Sequence, residues 1–405
     1  MLIRRQKKTL AKLIFVTSFL VYCMCADKGE EYYSPYIQAT HPAGGNYVGS
    51  ITCRECHQDI YKDHIETAHY HTSAVADAEN IGGSFKKGKN TFALSDATLE
   101  MVREGKSHFQ ESRDKKGNLL QKQQFDVVIG SGVKGKSYLT WQDDHLFQLQ
   151  ASYNAPADSW INSPGYPDRV LQRPIRDACL KCHVTHATNR DFSGTGNEYN
   201  QDRMIYGIGC ERCHGPAEDH VVFHRNNPDS TLAHFILRVD TLPQPRRLDL
   251  CAQCHSGPRD NIIKGNSFSY LPGEDLKEYS RNFYTGQAPG ELDVHGNQFG
   301  LLTSSPCFLS SPEMDCGTCH DSHKNQRGDS QHFINSCNSC HETSGHTCSA
   351  SLADQQSMGN NCVSCHMPSK PSTVMAMQGG ENLEEKPVLV RTHLIGIYAR
   401  EEWRP

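Results

Sequence analysis

The sequence predicts a mainly α chain with much irregular structure and one small antiparallel β-insert. Three observations lead there. Helical signals are short and gather around a five-residue motif, Cys-x-x-Cys-His, that recurs seven times. Strand-like alternation is confined to one interval, from about Asn90 to Tyr166. Hydrophobic residues make up only 37% of the 405 residues and mean hydropathy is −0.62, low for a globular chain that should bury most of its unfolded surface.

From the amino end, Arg4, Arg5, Lys7, Lys8 and Lys12 precede an apolar run from Leu13 to Tyr22, followed by Cys23, Cys25 and Ala26. This reads as a signal peptide over residues 1–25, too short for a spanning helix. Cleavage is expected near Cys25 or Ala26. A lipid anchor on Cys23 is the alternative, disfavoured by the bulky Tyr22 before it. No second apolar stretch is long enough to span a bilayer, so a mature chain without a transmembrane helix is expected. Residues 47–89 carry the first motif and a helical stretch over Ile60–Ala76. Residues 90–166 form the β-rich insert, with strand-like runs at Gln124–Gly130, Tyr138–Trp141 and Leu146–Tyr153 and turns at Lys115–Gly117, Gly130–Gly135 and Asp143–Asp144. Residues 167–378 hold the other six motifs and a second helix over Ala217–Arg225. Residues 379–405 read as a tail wrapping that block.

The motifs are CRECH (Cys53, Cys56, His57), CLKCH (Cys179, Cys182, His183), CERCH (Cys210, Cys213, His214), CAQCH (Cys251, Cys254, His255), CGTCH (Cys316, Cys319, His320), CNSCH (Cys337, Cys340, His341) and CVSCH (Cys362, Cys365, His366). Random placement of 18 Cys and 22 His would give about 0.04 copies. Two thiols three positions apart lie on one side of a helical turn, where both can form thioethers to one porphyrin, and the next residue, His, reaches its iron. Zinc is the nearest alternative, but a zinc ribbon needs no His after the second Cys, and all seven motifs have it. Seven covalently attached haem c groups are therefore expected, and they would supply the apolar interior the composition lacks. Thioether attachment occurs outside the cytoplasm, which agrees with the leader and implies a periplasmic or otherwise extracytoplasmic protein.

Successive motif histidines are separated by 126, 31, 41, 65, 21 and 25 positions, so in sequence the first stands apart and the last six form a dense block. Lys and Arg number 41 against 46 Asp and Glu. Removing the five basic residues of the leader leaves 36 against 46, a net charge of −10. That excludes nucleic acid as a natural partner and favours a basic redox protein.

Taken together, YVGSITCRECHQDIY (Tyr47–Tyr61), ETAHYHTSA (Glu66–Ala74), VIGSGVKGKSYL (Val128–Leu139), CERCHGPAEDH (Cys210–His220), CGTCHDSH (Cys316–His323) and CVSCHMP (Cys362–Pro368) resemble the multihaem cytochrome c superfamily. More narrowly, they resemble exported proteins with tetrahaem cytochrome-type haem domains, distantly similar to the octahaem hydroxylamine-oxidising and nitrite-reducing enzymes. The resemblance runs from Tyr47 to Tyr398. It implies a multihaem cytochrome c fold organised around stacked haems. It also implies partners among other redox proteins, membrane quinol-linked cytochromes included. By the same resemblance His186, His220, His323 and His393 look like distal iron ligands, as does His69, with His71 its rival. His224 competes locally with His220. His295 is a further candidate, and His332 and His346 flank the sixth motif. His108 and His145 read as surface residues of the insert, and His41, His64 and His234 as structural or solvent-exposed.

Other features have plainer readings. GSGVKGKS (Gly130–Ser137) matches the phosphate-loop pattern, but Tyr138–Trp141 after it reads as a strand, whereas a phosphate loop must open a helix. A Gly-rich hairpin turn is expected instead. Cys307 and Cys348 lie outside the motifs and leave a disulfide between them open. Two functions fit: an electron-transfer protein with every iron six-coordinate, or a multihaem oxidoreductase acting on a small nitrogen or sulfur compound at one open iron, with Tyr138, Trp141 and Tyr153 as candidate pocket walls. No motif replaces its His by Lys, which favours the first reading.

Overall fold

A computed structural model describes residues 37–191, 196–282, 287–342, 345, 348–379 and 384–403. The leader, Cys23, Cys25 and His346 lie outside the described residues. The expectation of a mainly α chain is overturned: 27% of the described residues are helical and 25% are in strands. The excess comes from Ser73 to Pro174, where ten strands form, and from a hairpin near the carboxyl end.

The strands are β1 (Ser73–Val75), β2 (Thr91–Ala93), β3 (Ala97–Glu104), β4 (Ser107–Asp114), β5 (Leu119–Gln124), β6 (Val127–Ile129), β7 (Gly135–Gln142), β8 (His145–Asn154), β9 (Ser159–Asn162) and β10 (Arg173–Pro174). One antiparallel sheet is the meander β2-β3-β4-β5. The other runs β9-β8-β7-β6-β1, with β10 paired to β8, and is antiparallel throughout. Gly130–Ser137 falls at the β6–β7 connection, where Ile129 faces Ser137 across the hairpin and Gly130 and Gly132 take positive φ.

Successive side chains of a strand point to opposite faces, and here both faces are covered. Val127 pairs with Leu139, and both enter a cluster with Leu146, Leu180, Val184 and Tyr199 on the motif-bearing side. Their neighbours Val128 and Tyr138 also pair across the strands, and they pack with Met101, Phe125, Leu149 and Trp160 on the other side. The second cluster is aromatic, with Phe125, Tyr138 and Trp160 ring centres 4.7–5.8 Å apart. Trp160 also donates to the Ser84 carbonyl at 2.8 Å.

Away from the sheets the helices are short. Gln58–His64 stops well before Ala76, because Ser73–Val75 is drawn into the sheet against Val127–Ile129. Glu218–Asn226 matches the second expected helix closely. The segment expected as a plain tail contributes Glu384–Arg391 (β12), which pairs with Ser369–Gly379 (β11), the register shifting between Pro371 and Ala376. No helix of the described residues is long and apolar enough to cross a membrane.

Gly207 locks the layers together. Its φ is +68°, and a Cβ there would stand 2.3 Å from the Tyr70 carbonyl oxygen, so no other residue fits without moving backbone. Removing the aromatic anchor should be costly: Trp160→Ala is expected to lower stability by about 3–5 kcal/mol. Thermal unfolding followed by near-ultraviolet circular dichroism would check this, and an unchanged midpoint would contradict the aromatic core.

Candidate haem-binding sites

Each motif sits on a single helical turn or at a helix end. In the first, third and fifth motifs the His N–H bonds back to the first Cys carbonyl: His57 to Cys53 at 2.9 Å, His214 to Cys210 at 3.0 Å and His320 to Cys316 at 2.9 Å. The fourth, sixth and seventh close the helices Gln244–His255, Ser330–His341 and Cys362–His366. The turn therefore presents both thiols and the imidazole from one short segment.

The motifs are neighbours in space. The thiols of Cys53 and Cys210 face each other, as do those of Cys182 and Cys254, Cys251 and Cys316, and Cys337 and Cys362. The first motif, remote in sequence, is thus set against the third. Ser50 Oγ accepts from the Cys210 N–H at 3.2 Å, and Glu211 accepts from the Val48 and Gly49 N–H groups at 3.0 and 2.8 Å. The hydroxyls of Thr72 and Ser73 donate to the His183 carbonyl at 2.8 and 2.7 Å, joining the first segment to the second motif.

Two imidazoles that share one iron through opposite nitrogens, each about 2 Å from the metal, have ring centres about 6.3 Å apart. Four motif histidines face a second ring at that spacing: His57 and His220 at 6.4 Å, His214 and His323 at 6.1 Å, His320 and His393 at 6.2 Å, and His255 and His69 at 6.1 Å. In the first three pairs the planes lie within 16°, 21° and 27° of parallel. His71 lies instead against Tyr70. A carbonyl can only accept, so the Nδ1–H of His214 donates to Leu237 at 2.9 Å, that of His366 to Gly396 at 2.8 Å and that of His220 to His234 at 2.7 Å, leaving each Nε2 free for a metal. The residues present thus fit iron held between paired imidazoles.

At six of the motif and candidate histidines burial favours the neutral ring, the form with a lone pair to give. Desolvation, helped by neighbouring imidazoles, lowers His69 and His393 to about 4, and desolvation also lowers His183, His220, His295 and His320. His295 is among the groups that lower His183 electrostatically. His186 has another setting. It packs 5.0 Å from the Tyr47 ring and 5.5 Å from Phe268, its Nε2 3.3 Å from the Thr188 hydroxyl, and among the described residues no motif histidine stacks on it.

Several histidines are structural. His64 donates from Nε2 to the Ile208 carbonyl at 3.0 Å, and His41 accepts at Nδ1 from the Ala43 N–H at 3.0 Å. His332 Nε2 reaches the Cys319 carbonyl at 3.0 Å. His108 is buried at 5% exposure against Phe85, not on the surface as expected, because β4 turns it toward the aromatic core. Tyr138, Trp141 and Tyr153 pack into the two sheet clusters. Cys307 and Cys348 are both free thiols in the structure. Sequence reasoning missed Lys181, Arg212 and Gln253, which line one cavity; the available signal was that each immediately precedes the second Cys of its motif.

Residues 136–215 match the family described as Cytochrome c554 and c-prime. In fold, the chain is similar to the crystal structure of the outer cell wall cytochrome OcwA, with a TM-score of 0.54 and 17% identity over 86% of this chain and 79% of that one. A second solved structure, the undecahaem cytochrome from the S-layer of Carboxydothermus ferrireducens, matches at a TM-score of 0.38 and 16% identity over 80% of this chain and 51% of that one. No curated protein matches the chain in sequence. The chain is thus similar in fold to a solved cytochrome, and seven Cys-x-x-Cys-His segments lie within that fold.

Glu211, inside the third motif, is raised by burial from an ordinary 4.5 to about 7 against the pull of three backbone N–H groups. Because the folded value lies above the unfolded one, the neutral carboxyl contributes stability that is complete below about pH 4 and lost as pH rises through about 7. Denaturant midpoints measured from about pH 5 to 8 should therefore fall less steeply in Glu211→Gln than in the parent. An identical slope in both proteins would contradict the buried, raised carboxyl.

Proposed function

We propose that this chain is an exported seven-haem c-type cytochrome that relays electrons through mostly bis-histidine haems. The observation that carries the reading is the set of four motif histidines facing a second histidine at 6.1–6.4 Å, the separation that one shared iron requires. The axial pairs are then His57 with His220, His214 with His323, His255 with His69 and His320 with His393.

Bound haem supplies a one-electron iron couple. The protein's part is to bury several of the rings in their neutral form, to fix the orientation of others through Nδ1 bonds to backbone carbonyls, and to keep successive attachment sites adjacent. The adjacency supports a continuous relay. Facing cysteines link the first motif to the third, the second to the fourth, the fourth to the fifth and the sixth to the seventh. Arg212 of the third motif lies within reach of Cys182 and Cys254, and Cys319 of the fifth lies near Cys340 of the sixth. Core packing of Tyr138, Trp141 and Tyr153 speaks against a substrate pocket at the sheet. The leader-like amino terminus and the similarity to an outer cell wall cytochrome support an extracytoplasmic location, and the net charge of −10 supports a basic redox partner.

The intact processed chain should carry the mass of seven haems. Electron paramagnetic resonance of the oxidised protein should show low-spin iron only, and His220→Ala should convert one haem to high spin. A stoichiometric high-spin signal in the parent, or a spectral shift with nitrite, hydroxylamine or carbon monoxide, would replace the relay by the oxidoreductase reading.

A further inference from the structure

Lys181, Arg212 and Gln253 hold the same place in three consecutive motifs, the residue before the second cysteine. Their side chains line one small, partly open cavity, shared with Asn266, Tyr270 and Ser280. Lys181 is 4% exposed and Arg212 6%. Their hydrogen-bond partners among the described residues are backbone carbonyls alone: Pro258 at 2.7 Å and Arg259 at 2.9 Å for Lys181 Nζ, and Thr185 at 3.4 Å and Lys181 at 2.9 Å for Arg212. Arg212 Nε, Gln253 Oε1 and Tyr270 Oη are buried with no partner. The guanidinium of a third buried cation, Arg259, donates to Ser256 and Ser280 and to no carboxylate among the described residues.

Buried cations are normally paired, because carbonyl dipoles replace only part of the lost hydration. No carboxylate at hand does this. Glu211 is bound to the N–H groups of Val48, Gly49 and Ala217, Asp249 is bound to Arg246, and the exposed Asp260 acts on Lys181 from a distance. Two cations, a free guanidinium N–H and a tyrosine hydroxyl are together the donor set of an anion site.

We propose that the cavity between Lys181 and Arg212 binds a carboxylate or small oxyanion where the second, third and fourth motifs converge. Arg212 acts on Cys182, Cys213 and Cys254, one cysteine from each of those motifs, so an anion beside it lies within the relay. Two sources share the chemistry. A haem propionate, which rests on the function proposed above, would arrive with the cofactor; a free inorganic oxyanion would come from solution.

Spectroelectrochemical titration of the haem-loaded protein, with and without sulfate, separates them. Lys181→Met and Arg212→Gln remove charge, Arg212→Lys keeps it, and Arg238→Met alters an exposed cation paired with Asp240. With a propionate in the site, Lys181→Met and Arg212→Gln lower the midpoint potential of one haem, Arg212→Lys and Arg238→Met do not, and sulfate has no effect. With a free oxyanion, sulfate lowers a parent midpoint saturably, and the shift is lost in Arg212→Gln. Titrations that coincide for parent, Lys181→Met and Arg212→Gln under both conditions overturn the site. If Lys181→Met fails to mature, the Arg212 pair alone decides. A purified chain with no haem mass would defeat the proposed function separately; sulfate binding by calorimetry, present in the parent and absent in Arg212→Gln, would then still test the cavity, and its absence from the parent would overturn it.

Discussion

Much of the motif-bearing chain has too little protein interior of its own, and the rest of the structure follows from how that is made good. The twelve-residue helix Ser330–His341 buries none of its residues, nor do Glu218–Asn226 and Leu352–Ser357. Isolated helices of that length are marginal in water even with favourable sequences. Ser330–His341 carries the sixth motif, Leu352–Ser357 lies five residues before the seventh, and Glu218–Asn226 carries His220. Thioether and iron–imidazole bonds to the proposed haems would hold such segments, as structural metals hold small domains with thin cores.

The sheets supply the complementary part. The six-stranded sheet is a central layer, with an aromatic core on one face and, on the other, a cluster that reaches Leu180 and Val184 around the second motif. Hydroxyl bonds from Thr72, Ser73 and Thr185 to the carbonyls of His183 and Gly207 carry that rigidity into the turns bearing the second and third motifs. Electron transfer depends on fixed distances between neighbouring cofactors, and a sheet layer hydrogen-bonded to the motif turns is a physical route to fixing them.

The haem motifs were legible because the chemistry demands adjacent residues. Strands β6 to β8 were legible from their alternation, and so was the Gly-rich hairpin between β6 and β7. The meander was not: Leu119–Gln124 is mostly polar, and β3 and β4 place Glu100, Arg103 and Arg113 among their apolar positions. The carboxyl-terminal hairpin was hidden by Pro371 and Pro387, residues that argue against a strand interior; the register shift between Pro371 and Ala376 shows how the first is accommodated. The histidine pairs were legible only as candidates. His69 and His255 are far apart in sequence, and what brings them together is tertiary packing. His108 shows the converse, a polar residue in a polar stretch that the sheet turns inward.

Hydrogen exchange read by mass spectrometry, on the haem-loaded chain and on the same chain made without haem, tests most directly whether the cofactors stand in for the missing interior. Slow exchange over Ala97–Asn162 in both forms, with protection of Ser330–His341 and Cys362–His366 only in the loaded form, is the expected result. Equal protection of those helices in the haem-free chain would show that the polypeptide holds them by itself, contradicting the central claim.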